Sequence, residues 1–342
     1  MVTECNVGVA FPEPGEVALE ERAVPEPGPE EVLIETRRTL VSTGTELTML
    51  QAEYPPDSAW DRDFPRHPGY NNIGEVVAVG ERVDESVLGE RVGCYGDHAQ
   101  YVTATQPSPL ADPFATYRPI PEGIDDEAAA FFTFAEIVMN AVRRGEVRWG
   151  ETVAIFGLGL LGQFAVRFAR FAGAAPVVGL DLAAERLSYL PDRPRVVGLD
   201  PSAEGWEDAF TAATPRGEAD VVIEATGSPS AIPQEFGPLR EQGRLVLLSS
   251  PHGTTDFDFT TYCNAGSYEI IGAHNRSHPI LEQPQTPWTH HRHAELFFRL
   301  LADGELSVEE LVSHRYSYER AVEAYDLLVE DRTQAMGVLF EW

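Results

Sequence analysis

Residues 151–181, ETVAIFGLGLLGQFAVRFARFAGAAPVVGLD, constrain the fold more than any other stretch, because they read as strand, glycine turn, helix, strand and acidic residue. The apolar run 153–156 suits a strand buried on both faces, and Gly157, Gly159 and Gly162 follow it as G-x-G-x-x-G. Gly157 permits the tight turn, Gly159 lets the backbone approach a pyrophosphate, and Gly162 lets the new helix lie close to the sheet. That helix opens at Leu160 and Leu161 with N–H groups and a dipole that favour phosphate, and Phe164, Ala165, Phe168 and Phe171 extend its apolar face. Glycine turns also arise for packing alone, so the context decides. A second strand, 177–180, ends at Asp181, about 20 residues past the glycines, where a carboxylate accepts the ribose hydroxyls of an adenosine. A 2′-phosphate would meet a like charge there, which favours NAD, while Arg186 nearby leaves NADP open.

The chain has 342 residues and a formal net charge of −30, and all 25 of its basic residues are arginine. Carboxylates spread along the whole length predict a surface solvated for high salt, where screening suppresses self-repulsion, and hence a salt-loving source. The same charge argues against nucleic acid and anionic membranes as partners. Cys5, Cys94 and Cys263 are too few and scattered for a disulfide framework or a four-cysteine zinc lobe. No apolar run reaches the roughly 18 residues of a membrane span, and residues 1–5 do not begin a signal peptide. The expectation is a cytoplasmic protein.

Residues 1–115 read as short strands separated by Gly, Pro and acidic turns, with almost no helical periodicity, which predicts a compact, barrel-like β domain. Within it Gly69, Gly74, Gly80 and Val83 give G-x(4)-G-x(5)-G-x(2)-V, followed by Gly89-Glu-Arg-Val92 and Gly96-Asp-His-Ala-Gln-Tyr101. With the central dinucleotide unit, this combination resembles the medium-chain dehydrogenase/reductase superfamily along the whole chain. The resemblance implies an α/β protein: a doubly wound Rossmann sheet joined to a GroES-like β-barrel domain. The expected division is a catalytic domain over 1–120, a Rossmann domain over 121–275, and a return toward the catalytic domain over 276–342.

The departures from that family matter as much. Zinc-dependent members carry Gly-His-Glu where this chain has Gly69-Tyr70-Asn71, and Cys-Gly-Ser/Thr-Asp where it has Thr43-Gly44-Thr45-Glu46; the third ligand position falls at Thr133. Tetrahedral zinc needs ligands from His, Cys, Asp or Glu, so the chain reads as a zinc-independent member, with His67 and Glu46 the weak alternative for a substitute site. Without metal, donors must polarise the substrate oxygen and a side chain must handle its proton. Tyr70, Thr43, Glu46 and His67 are the candidates, since the matching family positions face the substrate cleft. Three of them have a plainer reading: Tyr70 as a ring filling the space of metal and ligand, His67 as a loop histidine before Pro68, Thr43 as a local backbone partner.

Farther along, 125–144 predicts one long helix capped at Asp125 or Asp126. The buried strand ending in Thr226 and Gly227 and the one ending in Ser249 and Ser250 place polar groups where doubly wound sheets hold cofactors, and His274 opens the polar loop after the last strand. In the family that last strand often pairs with a second subunit, so a homodimer or larger homo-oligomer is expected. His290, His291 and His293 read as solvated loop histidines rather than ligands. The Ser42–Glu46, Pro68–Tyr70 and Ser249–Gly253 stretches most resemble the bacteriochlorophyllide-type and sorbitol-dehydrogenase-like group that lacks metal ligands. The expected activity is hydride transfer between NAD(P) and a small alcohol or carbonyl. An NADPH-dependent quinone or enoyl reductase and a non-catalytic nucleotide-binding redox sensor stay open as alternatives.

Overall fold

A computed structural model describes residues 5–54, 58, 61 and 63–342. The first four residues, part of the stretch on which the absence of a signal peptide was judged, lie outside them. In chain order the first elements are β1 (Asn6–Ala10), β2 (Ala18–Arg22), β3 (Glu31–Leu40), α1 (Thr43–Leu50), β4 (Asn72–Val79), β5 (Arg91–Cys94), β6 (Tyr101–Thr105) and β7 (Arg118–Pro119). Then come α2 (Asp126–Ala129), α3 (Phe132–Arg144), β8 (Val153–Phe156), α4 (Leu160–Phe171), β9 (Val177–Leu180), α5 (Ala184–Ser188), β10 (Val196–Leu199) and α6 (Trp206–Ala213). The chain continues through β11 (Ala219–Glu224), α7 (Ile232–Glu235), β12 (Leu239–Leu247), β13 (Glu269–Gly272), α8 (His290–Ala302), β14 (Val312–Ser317), α9 (Ala321–Asp331) and β15 (Gly337–Glu341). None of its helices among the described residues is long and apolar enough to cross a membrane.

Two compact units divide the chain, one of residues 1–133 and 279–342 and one of residues 134–278. The boundaries therefore fall at 133 and 278, against 120 and 275 from the sequence. The first moves because the start of the expected long helix packs into the β unit: Phe132 lies against Gly93, where a Cβ would sit 3.0 Å from its ring, and Phe131 lies against Gly337 in the same way at 3.2 Å. The helix itself is broken, with Ala130 ending α2 and a fresh start at Phe132.

In the first unit, β14-β15-β3-β4-β5-β7 run in that order through one sheet, β6 pairs with β3, and β1 and β2 form a separate hairpin. Alternate residues of its strands, among them Val32, Ile34, Val76, Val92 and Val102, close one core. A second core gathers Val9, Phe11, Val41, Leu47, Tyr325 and Phe340 from both ends of the chain. The stretch expected to be free of helix contains α1, whose Glu46, Leu47 and Leu50 turn inward. Eight residues are too few for a helical period to stand out among strands.

The second unit is a parallel sheet in the order β10-β9-β8-β11-β12-β13. Two β-α-β halves diverge from the β8–β11 seam, the point at which an open α/β sheet leaves a crevice at its carboxyl ends. All four residues of β8 and of β9 are buried, as continuous apolar runs require. Phe171 departs from the expected apolar face of α4, being 45% exposed at its last turn.

Candidate functional site

The glycine turn of the second unit leaves β8 at Gly157, whose φ of 87° suits glycine, and a Cβ there would meet the backbone of Ala225 and Thr226 at 2.7 Å. At Gly162 a Cβ would stand 1.8 Å from the Gly157 carbonyl oxygen, so the helix can start this close to the turn only without a side chain. Gly159, by contrast, faces open space within 4 Å, and no side chain caps α4 there. Room, undirected N–H groups at Leu160 and Leu161, and a helix dipole together fit a pyrophosphate.

Asp181 is 7% exposed at the end of β9; its Oδ2 accepts from the Leu158 N–H at 2.7 Å and its Oδ1 from the Ala183 N–H at 2.9 Å. The carboxylate thus holds the turn in shape and keeps lone pairs for ribose hydroxyls. Arg186 Nη1 lies 3.5 Å from Oδ2, and its buried Nε has no hydrogen-bond partner. That guanidinium is the group a 2′-phosphate would seek.

Sequence reasoning missed Glu224, at the end of β11. Its fully buried carboxylate accepts from the Thr226 N–H and Thr226 hydroxyl at 2.7 Å each, from the Gly227 N–H at 2.9 Å, and from the Ser249 hydroxyl. Thr226 and Gly227 therefore stand at the carboxyl edge of the sheet, and the Ser249 hydroxyl is turned to Glu224. Ser250, the next residue, is exposed. His274 accepts from the Arg276 N–H at 3.2 Å through Nδ1, and burial with the Arg276 charge lowers its pKa. The signal for Glu224 was available: an acid closing an otherwise apolar strand, Val-Val-Ile-Glu, must be satisfied by whatever surrounds the strand end.

In the first unit, the Tyr70 hydroxyl shares a short hydrogen bond with the Ser42 hydroxyl, and its ring stacks on Tyr95 at 6.3 Å. Burial pushes the Tyr70 phenol up to about 12. Tyr95 in turn packs on Phe132 at 6.0 Å and on Phe114 at 5.1 Å, and the Arg118 guanidinium lies 5.3 Å above the Tyr95 ring. Thr43 opens α1 half-buried beside exposed Gly44 and Thr45.

Two sequence candidates are engaged by other side chains. Glu46 is 1% exposed, and its oxygens are taken by the Ser42 N–H at 2.7 Å, the Tyr325 hydroxyl at 2.5 Å and His98 Nε2 at 3.1 Å. It is a buried carboxyl group that ties α1 to α9, and neither His98 nor Tyr325 was legible as its partner, being 52 and 279 residues away. His67 pairs through Nε2 with Glu20 at 2.8 Å, so it is held by the β1–β2 hairpin.

The donor set does not fit zinc. Thr43, Tyr70 and Thr133 occupy the three expected ligand positions, and Thr133 is fully buried with a hydroxyl that finds no hydrogen-bond partner. Among the described residues no three His, Cys, Asp or Glu side chains group as a metal site. The late histidines are corrected too: they lie on α8, not in a solvated loop. His290 and His293 are buried, the first against Phe114 at 4.9 Å and the second stacked on Trp288 at 5.4 Å. His291 Nε2 bonds Thr116 Oγ1 at 2.9 Å, and burial together with the Arg118 charge lowers it to about 4. An apolar stripe continuing through Ala294, Phe297 and Phe298 at helical spacing was the sign that these histidines lie on one helix.

Residues 161–284 match the family model described as zinc-binding dehydrogenase. L-galactonate-5-dehydrogenase of Escherichia coli K12 is 26% identical over 354 residues, covering 96% of each chain. Among solved structures, a putative zinc-binding dehydrogenase from Sinorhizobium meliloti 1021 bound to NADP superposes with a TM-score of 0.79 at 21% identity, over 99% of this chain and 100% of that one. A short chain alcohol dehydrogenase from E. coli CFT073 complexed with NADH gives 0.80 at 18%, over 99% and 100%.

Proposed function

We propose that the chain is an NAD(P)-dependent oxidoreductase of the medium-chain dehydrogenase/reductase superfamily and that it moves hydride between NAD and a small alcohol or its carbonyl without zinc. The observation that carries this reading is the substitution of hydroxyls for metal ligands at Thr43, Tyr70 and Thr133, with Tyr70 bound to Ser42. A bound nicotinamide supplies or accepts the hydride. Raised to about 12, the Tyr70 phenol keeps its proton at neutral pH, so it serves as a donor to charge developing on the substrate oxygen rather than as a base. Ser42 holds that phenol in place, and Thr43 offers a second hydroxyl. Asp181 supports NAD over NADP, with Arg186 the source of any residual NADP binding.

The relative named for L-galactonate supports a polyhydroxy substrate. The outer edge of β13, where Ile270 is 41% exposed, supports a homodimer formed by sheet extension. A net charge of −30 carried without lysine supports work in concentrated salt. The test is calorimetric titration of NADH and NADPH in molar KCl with metal assayed on the same sample, followed by a panel of polyols and sugar acids. NADH preference, absence of stoichiometric zinc and polyol oxidation are expected. Reduction of quinones or enones by NADPH in place of alcohol oxidation would select the reductase reading, and binding without turnover the sensor reading.

A further inference from the structure

Two carboxyl groups of the Rossmann unit are fully buried: Glu224 at the end of β11 and Glu235 at the end of α7. Glu224 joins two loops. Its side chain holds Thr226 and Gly227 after β11, and also the Ser249 hydroxyl after β12, while its own carbonyl oxygen accepts from the Leu248 and Ser249 N–H groups at 3.1 and 3.2 Å. These donors match an ionised carboxylate, which accepts at both oxygens. Glu235 is the opposite case. It closes α7, it is 0% exposed, and neither of its oxygens has a hydrogen-bond partner.

We propose that Glu224 is a positioning residue for the dinucleotide and that Glu235 must stay protonated for it to act, so that loss of the Glu235 proton to solvent releases the two loops and weakens NAD(H) binding. The proposal rests on the dinucleotide reading of this unit. Helix α7 packs on β11, the strand that ends in Glu224, so the two buried carboxyl groups belong to one packed region; Glu224 has donors on both oxygens, while Glu235 has none to secure a charge. Burial first, and the Glu224 charge second, push Glu235 up to about 9. Asp220 on β11 is paired with Arg240 at 2.6 Å, and Tyr262 and Tyr268 lie against Phe236, the residue after Glu235, at 5.6 and 5.4 Å.

The experiment measures NADH affinity between pH 7.5 and 10 for the full chain, Glu235→Gln and Glu235→Leu, with amide hydrogen exchange of residues 225–228 and 247–250 followed in cofactor-free protein at the same pH values. The wild type should lose about tenfold in affinity by pH 10, as one proton released near pH 9 requires, and its loops should exchange faster than those of the variants. Both variants should hold their affinity within about twofold over that range. Glu224→Gln should bind NADH more weakly at every pH. A parallel loss of affinity in wild type and variants, or none in either, would overturn the proposal. If the wild type bound neither NADH nor NADPH at pH 7.5, the dinucleotide reading would fail, and equal loop exchange in wild type and variants would separately decide against the carboxyl pair.

Discussion

Replacing Glu235 by glutamine should raise stability by an amount that grows with pH. The ordinary carboxyl value is 4.5, and burial lifts it to about 9 in the folded chain. Between those values the folded protein binds one more proton than the unfolded protein, so this group's contribution is complete below pH 4.5 and is lost as pH rises toward 9. The slope is about 1.4 kcal/mol per pH unit. At pH 7.5, about three units above the unfolded value, the loss comes to about 4 kcal/mol, and at pH 6 to about 2 kcal/mol. The figure at pH 7.5 depends on the unfolded value and on the folded value lying above the assay pH, not on how far above. Glutamine keeps the shape and does not titrate, so any packing or hydrogen-bond change it brings is a constant offset. Urea unfolding at fixed KCl and pH 5, 6, 7 and 8 measures the difference between the two proteins. Parallel stability curves would refute the reasoning, since they would mean that Glu235 ionises in the folded chain as it does in the unfolded one.

Asp181→Ala should weaken NADH binding at least tenfold and cost about 2–3 kcal/mol in unfolding, because the Leu158 and Ala183 N–H groups lose a charged acceptor; calorimetry and urea titration read the two effects separately. His291→Gln should remove part of the acid sensitivity. With the folded histidine lowered to about 4 and the unfolded one at 6.5, the unfolded chain binds the extra proton between those values, so wild-type stability falls as pH drops through that window and the variant falls less, by about 2 kcal/mol at pH 5. Tyr70→Phe should cut kcat on the best alcohol by about a hundredfold with NADH affinity unchanged, as expected for loss of a donor to the substrate oxygen. An equal fall in Ser42→Ala would assign the effect to the hydroxyl pair rather than to Tyr70 alone.

The Rossmann unit was legible because each of its requirements is local. A glycine turn, a helix start and an acid at the next strand end all fall within 31 residues, and Gly157, Gly162 and Asp181 then meet through contacts that this spacing implies. Strands β8 and β9 fell at the expected residues for the same reason. The β unit was legible as a class but not in its details: α1 was too short to show a period, and the first turn of α8 was hidden in a histidine run that resembled a loop.

What the sequence determined by itself was the identity of the groups at each motif position: glycines where backbone must pass close to backbone, a carboxylate after the second strand, and hydroxyls where zinc ligands would stand. Only the tertiary structure decided what those groups have left to offer. Glu46 looked available until His98 and Tyr325 were found on its oxygens, and Ser249 looked free until Glu224 was found beneath it. Glu235 gave no signal at all. A carboxyl group becomes a buried acid through the burial and charge that the folded chain places around it, and these come from residues whose distance along the sequence says nothing about their distance in space.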